Sequence, residues 1–468
     1  MIIKYKKYAL FLAAVITLMS SCKKQLDQQP TDSFSDANAF LTMEDIQFGT
    51  NGAYARYGAY VNDMYTNALT SDEAKLGLDN AGQGALTYRF QYGSDNTTGG
   101  DVIGAWGAYY AMIDQINRVL AKVGTVTATA AEEPRRPILK GQLLALRAIA
   151  HFGLLQNYCK KYNASEKGVP IMLESQVLGK PARNTMGQVI TQIETDLADA
   201  KALLPAVTAA TFSDTVMNKV NIAAYQARVA LYKEDYANAI TYATEVITAN
   251  VKPLVTGTAF AGIWTDANNN ETLFRIRYAT GTNIGSLWTT TGGQVYIAPS
   301  DKLVAAYDPT DIRKAAYIGT LGSGDHYVNK FYTSSRGGRV VDMKACRISE
   351  MYLIRAEAYA KRSSPSVALG LADLNTLRAQ RFTGAPPALA VTTPAELVAA
   401  TLQERFIELC FEGFRFFDLK RNGLSVQRLA SDANAAWQTL NTGNFRFVYP
   451  IPREETDANP NMVQNDSY

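Results

Sequence analysis

Glu404, Glu408 and Glu412 recur at every fourth position of a stretch that also carries Arg405, Arg415, Lys420 and Arg421. On one helix this spacing sets the carboxylates on a single face, within several ångströms of each other. Closely set carboxyls are the machinery of glycoside hydrolysis, where a retaining enzyme needs two of them about 5 Å apart across a cleft, one with a raised pKa. The surrounding cations argue the other way, because a paired acid is held low. The stretch therefore reads as a structural ion-pair network around a helix end. Histidine gives an enzyme no better footing: the chain has only His151 and His326, neither with a neighbour at metal-ligand spacing, so zinc and Ser-His-Asp chemistry find no support. Asp266–Glu271 (DANNNE) resembles the head of a calcium loop, but Glu271 stands where the turn glycine belongs and Arg277 at the twelfth position, so it reads as a turn. No cofactor or metal is expected.

Binding a sugar asks for less: a flat apolar face against the ring, and polar groups for the hydroxyls. Trp288, in SLWTTTGGQVY, is flanked by small polar residues and lies on no amphipathic stripe, which makes it the leading platform. Tyr296 and Tyr92 follow, with Asn96, Asp72 and Asn283 as polar partners. Trp106 lies on a helical stripe and Trp264 precedes a strand-like run, so both read as core, whereas Trp437 fits either reading.

These residues need a scaffold, and the chain supplies helical pairs. Trp106, Tyr109, Ile113, Ile116 and Leu120 repeat at steps of three and four, as do Ile190, Ile193, Leu197, Ala200 and Leu204. Leu402, Phe406, Leu409, Gly413 and Phe416 continue the pattern through the acidic stretch as one helix. Residues 221–250 hold two such stripes around a turn at Lys233, Glu234 and Asp235, with Ala224, Ala227, Ala230 and Ala239 small enough for close approach. This resembles a tetratricopeptide helix pair, and 348–381 forms a second unit broken at Pro365. Between the pairs, 60–101 and 252–344 are rich in Gly, Thr, Asn and Tyr, lack helical periodicity, and contain strand-like runs at 272–279 and 294–298. The fold class is mainly α, a tetratricopeptide-like helical-pair scaffold with a large loop-rich subdomain containing a few short strands. Long loops on a rigid scaffold are where binding residues sit.

With 468 residues, 47% of them apolar and 19% charged, the chain has enough material for a large core. Its formal charge of +3 comes from Lys4, Lys6 and Lys7, the only charges before Cys22. Without them acids and bases balance, and the absence of a basic run excludes nucleic acid as a partner. Residues 1–21 combine those lysines with an apolar run and Ser20-Ser21 before Cys22, the pattern of a secretory signal too short to span a bilayer. The Cys22 junction resembles a bacterial lipobox, so Cys22 is the expected lipidation site and 22–36 a tether. Cys159, Cys346 and Cys410 lie in apolar helical contexts and are expected as buried free thiols.

Several blocks in order resemble the SusD/RagB family of surface nutrient-binding lipoproteins: 51–54 (NGAY), 70–73 (TSDE), 106–117 (WGAYYAMIDQIN), 168–171 (GVPI), the 221 and 351 helix pairs, Glu404-Arg405 with Glu408, Glu412, Arg415 and Asp418, and the closing NPNMVQN at 459–465. The resemblance spans nearly all of the mature chain. It implies a body over 37–468, with scaffold at about 37–59, 102–251 and 345–421 and loop-rich insertions at about 60–101, 252–344 and 422–468. It also implies a lipid-anchored glycan-binding protein of the outer membrane, facing the cell exterior, that serves a SusC-like TonB-dependent transporter and is not an enzyme. The competing readings are a carbohydrate-active hydrolase using loop carboxylates and a tetratricopeptide-type peptide-binding module.

Overall fold

Alanine is what lets the central helices meet. In the computed structural model, which describes residues 39–468 apart from 177, 279–283 and 291, α6 (Lys219–Tyr232) and α7 (Tyr236–Ala249) pack as a hairpin through Ala223, Ala227, Ala230, Ala239 and Ala243, all buried. Asn218 caps α6 by accepting from the amides of Val220 and Asn221, and Asp235 caps α7 through Asn238. Each such cap contributes about 1 kcal/mol. Glu234, at φ 65°, makes the reversal between them.

The other long helices extend this hairpin into a series. They are α1 (Met43–Arg56), α2 (Ala59–Thr70), α3 (Gly100–Val123), α4 (Arg135–Tyr158), α5 (Met186–Leu203), α8 (Ile348–Lys361), α9 (Val367–Ala379), α10 (Pro394–Glu408) and α11 (Arg415–Arg421). α3 packs on α4, α4 on α5, α5 on α6, α7 on α8, and α8 on both α9 and α10, while α1 and α2 lie across α3. α4 is apolar enough in length and composition to cross a membrane, but here it is a core helix, with most of its side chains buried.

The loop-rich half is built from short antiparallel pairs. β1 (Ala74–Leu76) pairs with β3 (Ile297–Pro299), β2 (Thr272–Ile276) with β6 (Met343–Arg347), and β4 (Ile318–Thr320) with β5 (His326–Val328). Three boundaries differ from the sequence reading. Helix α2 occupies the start of the stretch expected to be loop, because Tyr60, Met64, Tyr65, Ala68 and Leu69 do form a buried stripe. The C-terminal tail, part of the 422–468 stretch expected to be loop-rich, contains a short helix at Arg453–Ala458.

The third difference concerns the acidic stretch. The helix expected to run through Glu412 stops at Glu408 and restarts at Arg415, with Phe411 at φ 63° and Gly413 at φ 86° in the turn between. Phe411 accepts a conformation costly for a bulky residue, and its buried ring packs against Trp288.

The expected ion-pair network is there, but its partners come from far along the chain. Glu408 binds Arg313, Arg347 and Arg381; Glu412 binds Arg347 and Lys330; Glu404 binds Arg313 and Arg378. The local cations serve elsewhere: Arg405 pairs with Asp418, Arg421 with Glu357, and Arg415 with Asp72. Burial works to raise Glu408 and Glu412, yet the guanidinium groups win and hold Glu408 well below, and Glu412 below, the usual carboxylate range. In the calcium-like turn, Glu271 forms an ion pair with Arg381 and Asp266 with Lys344. Cys159, Cys346 and Cys410 are buried free thiols.

Candidate ligand-binding cleft

Gly77 lets two loops meet: a Cβ there would sit 2.1 Å from the Val295 carbonyl oxygen. The turn after β1 is therefore bolted flat onto the segment leading into β3. The Gly77 amide donates to Tyr296 O, the Asp79 amide to Val295 O, and the Val295 amide to the Asp79 carboxylate. Asn80 adds a side-chain bond to Tyr296 O at 2.9 Å.

Beside this seam opens a cleft of about 390 Å³, walled by four loop segments. The seam contributes Lys75, Asp79 and the exposed Leu78; the β3 end contributes Asp301; the 431–432 turn contributes Asp432. The fourth wall is the β4–β5 turn, closed by Leu321 N donating to Asp325 O, with Gly324 at φ 94°. His326 stands there, its Nδ1 3.0 Å from Thr320 Oγ1.

The charges are fixed rather than poised. Lys75 pairs with Asp301 at 2.5 Å and, although partial burial opposes it, keeps that carboxyl below its usual range. Asp432 accepts from the amides of Asp301 and Lys302; its burial raises its pKa despite those bonds. Such groups accept hydrogen bonds from hydroxyl-rich ligands. A separate, larger cavity of about 560 Å³ lies between α3, the 170–181 loop and the C-terminal tail, lined largely by apolar groups such as Tyr110, Met172 and Met462.

The structure redistributes the residues expected to bind. Trp288 is not an exposed platform: it is 2% exposed, stacked on Phe331 at 5.8 Å and met edge-on by Tyr65 and Phe411. Its Gly and Ser neighbours, read as loop, form a 3-10 turn at Ile284–Leu287 that leads the ring inward. Tyr92 is also buried, edge-on to Tyr449 with its hydroxyl on the Arg446 carbonyl. Asp72 lies in the interior, where burial is outweighed by Arg415 and Lys302, which hold its pKa down. Lys302 ties it to the chain segment that Asp432 binds, so Asp72 supports the cleft rather than lining it. Asn96 is exposed but donates to Glu454 away from the cleft. Tyr296 is half-buried on the seam itself, and Asn283 and Cys22 lie outside the described residues.

Sequence reasoning missed Lys75, Asp79, Asp301, Asp325, His326 and Asp432. The one signal for them was the glycine-flanked run Gly322-Ser-Gly-Asp-His326. Trp106, Trp264 and Trp288 are buried, which leaves Trp437 as the tryptophan with a partly open ring. It sits in the loop that also carries Asp432, and the Arg89 guanidinium lies 4.7 Å from its centroid.

A series of helical hairpins that holds out an irregular half with an open polar cleft is the architecture of SusD-like proteins. Comparison with known proteins agrees. A family profile described as the SusD family matches residues 277–468, and one described as starch-binding associating with outer membrane matches 24–231. SusD-like protein P2 of Formosa agariphila is 25% identical, covering 98% of this chain and 99% of its own length. SusD-like protein P38 of the same organism is 23% identical over 99% and 100%. A solved structure described as a putative sugar binding protein from Bacteroides vulgatus superposes with a TM-score of 0.80 at 26% identity, covering 92% of this chain and 99% of that one. A laminarin binding SusD-like protein superposes at 0.70 with 21% identity over 92% and 100%. The chain belongs to the SusD/RagB family.

Proposed function

We propose that the protein captures glycans at the outer membrane without altering them, and passes them to a SusC-like TonB-dependent transporter. The observation that carries the reading is the loop-built cleft, where Asp79, Asp325 and His326 offer hydrogen-bonding groups, and the ring assigned to stacking is Trp437, partly open in the loop that also carries Asp432. The names of its relatives support the ligand class: one solved relative is described as sugar binding and another as laminarin binding. The family profile's association with the outer membrane supports the location. Anchoring rests on Cys22, where each buried methylene of an attached chain adds about 0.8 kcal/mol of membrane affinity.

A glycan array on the mature protein, followed by calorimetry on the best hit, tests this. Trp437→Ala is expected to weaken binding about tenfold, the loss of one stacking contact. An array without hits removes the ligand class, and unchanged affinity removes Trp437 from the site. Release of reducing ends by the wild type would instead favour hydrolysis by the loop carboxylates.

A further inference from the structure

Lys420, on α11, is a buried cation with no countercharge among the described residues. Its neighbours on the chain are all matched: Arg415 to Asp72, Arg421 to Glu357 and Asp418. Lys420, only 6% exposed, instead donates to the carbonyls of Gln156 and Cys159 at the end of α4 and pairs with no carboxylate among the described residues. An ammonium has three N–H donors; these two bonds leave one, and the only other contact of the ammonium among the described residues is the Phe417 ring, its centroid 5.3 Å away. Arg428, which also lacks a carboxylate, spreads its donors over four carbonyls and needs nothing more.

Lys420 also lines a cavity of about 250 Å³. Its walls are Leu424, Phe445 and Phe447, and its rim bears Lys160 and Lys161, against which Asp466 is the one acid in the lining. Asp466 is already engaged, 2.7 Å from Lys160. Lys161 likewise pairs with Glu234 at 2.8 Å, so the rim charges are matched and the cavity joins an apolar wall to a buried ammonium. We propose that it is a binding site for a small carboxylate carried on an apolar body, with the carboxylate paired to Lys420. Burial pulls the Lys420 ammonium down to about 7, so an incoming anion would restore the partner that the fold withholds. The volume is below the roughly 300 Å³ at which drug-sized pockets begin, which suits a single-ring acid. The site is separate from the glycan cleft, sharing no lining residue with it.

The test is calorimetric titration of the mature protein with benzoate, with neutral benzamide, and with galacturonate, which offers the same charge on a hydroxylated ring. Benzoate is expected to bind saturably, with benzamide and galacturonate each at least about tenfold weaker. Lys420→Met should weaken benzoate by about the same factor. Because that variant alters a buried position, Leu424→Glu provides a second arm: Leu424 is 42% exposed, and an acid there should repel benzoate while Lys420 stays in place. Absence of saturation up to about 10 mM benzoate overturns the proposal, as does unchanged affinity in a folded variant. Equal binding of benzamide overturns the charge pairing, and tighter binding of galacturonate overturns the apolar wall.

Discussion

Replacing Glu408 by Gln separates a structural network from an active site. Glu271, Asp311, Glu404, Glu408 and Glu412 supply five carboxylates to five cations, Arg313, Lys330, Arg347, Arg378 and Arg381. Glu408 touches three of these guanidinium groups at 2.8 to 3.1 Å, and all four side chains are fully buried. The amide keeps the shape but leaves one surplus buried cation, and breaking a buried pair in this way costs about 3–5 kcal/mol. Unfolding entropy is about 2.1 cal/mol/K per residue. Over roughly 430 described residues unfolding together, that corresponds to a Tm loss of about 3–6 °C. Differential scanning calorimetry at pH 7 reads it, with exposed Glu454→Gln as the control expected within about 1 °C. The sign of the pH dependence is fixed: Glu408 is lowered in the folded state, so its contribution is present above the unfolded carboxylate value of about 4.3. It is lost as pH falls through the folded value, so the gap between variant and wild type should close in acid. Glycan affinity should be unchanged. A variant with wild-type Tm but no glycan binding, or one that abolished a measured hydrolysis, would refute the structural role.

Trp288→Ala should lower stability by about 3–5 kcal/mol, as for other buried aromatics, and leave a folded fraction with normal glycan affinity; lost affinity at unchanged Tm would return Trp288 to the binding surface. Glu73 is buried with neither carboxylate oxygen meeting a side-chain partner, and burial raises its pKa to about 8. An acid raised on folding destabilises increasingly as pH climbs from its unfolded value to its folded one. Glu73→Gln should therefore gain Tm over wild type between about pH 5 and 8 and gain none near pH 4; a pH-independent difference would count against the assignment. Cys22→Ala should move the protein from the membrane to the soluble fraction on sedimentation, and continued sedimentation would rule out Cys22 as the anchor.

The 221–250 hairpin was legible because everything specifying it is local: two apolar stripes, small residues between them, and Asp235 as the cap. The break after Glu408 was not. The four-residue rhythm of acids and apolar side chains continues through Gly413, and the φ of Phe411 is set by packing against Trp288, more than a hundred residues away in sequence. The same distance hid the fate of Trp288 itself: its neighbours say loop, and only Tyr65, Phe331 and Phe411 say interior. The ion-pair network was foreseen and its partners were not, since charge type is written locally and pairing is not. The cleft is a meeting of four loops held by main-chain bonds, so its members share no spacing. Asp325 and His326 were signalled only by the glycines around them, and Asp79 gave no sign.

The interior is closed by residues that come late in the sequence. Arg415 reaches Asp72, Arg428 donates to the carbonyls of Leu69 and Ser71, Tyr449 bonds Thr70, and Asn465 caps the carbonyl of Tyr158. Each joins segments some three hundred or more positions apart, so the helices of the first half can form early but cannot be locked together until these late segments dock. Such long-range closure is slow to fold. Until then the early helices are held only by their own neighbours, and the order in which the fold locks is set by segments that come late in the sequence.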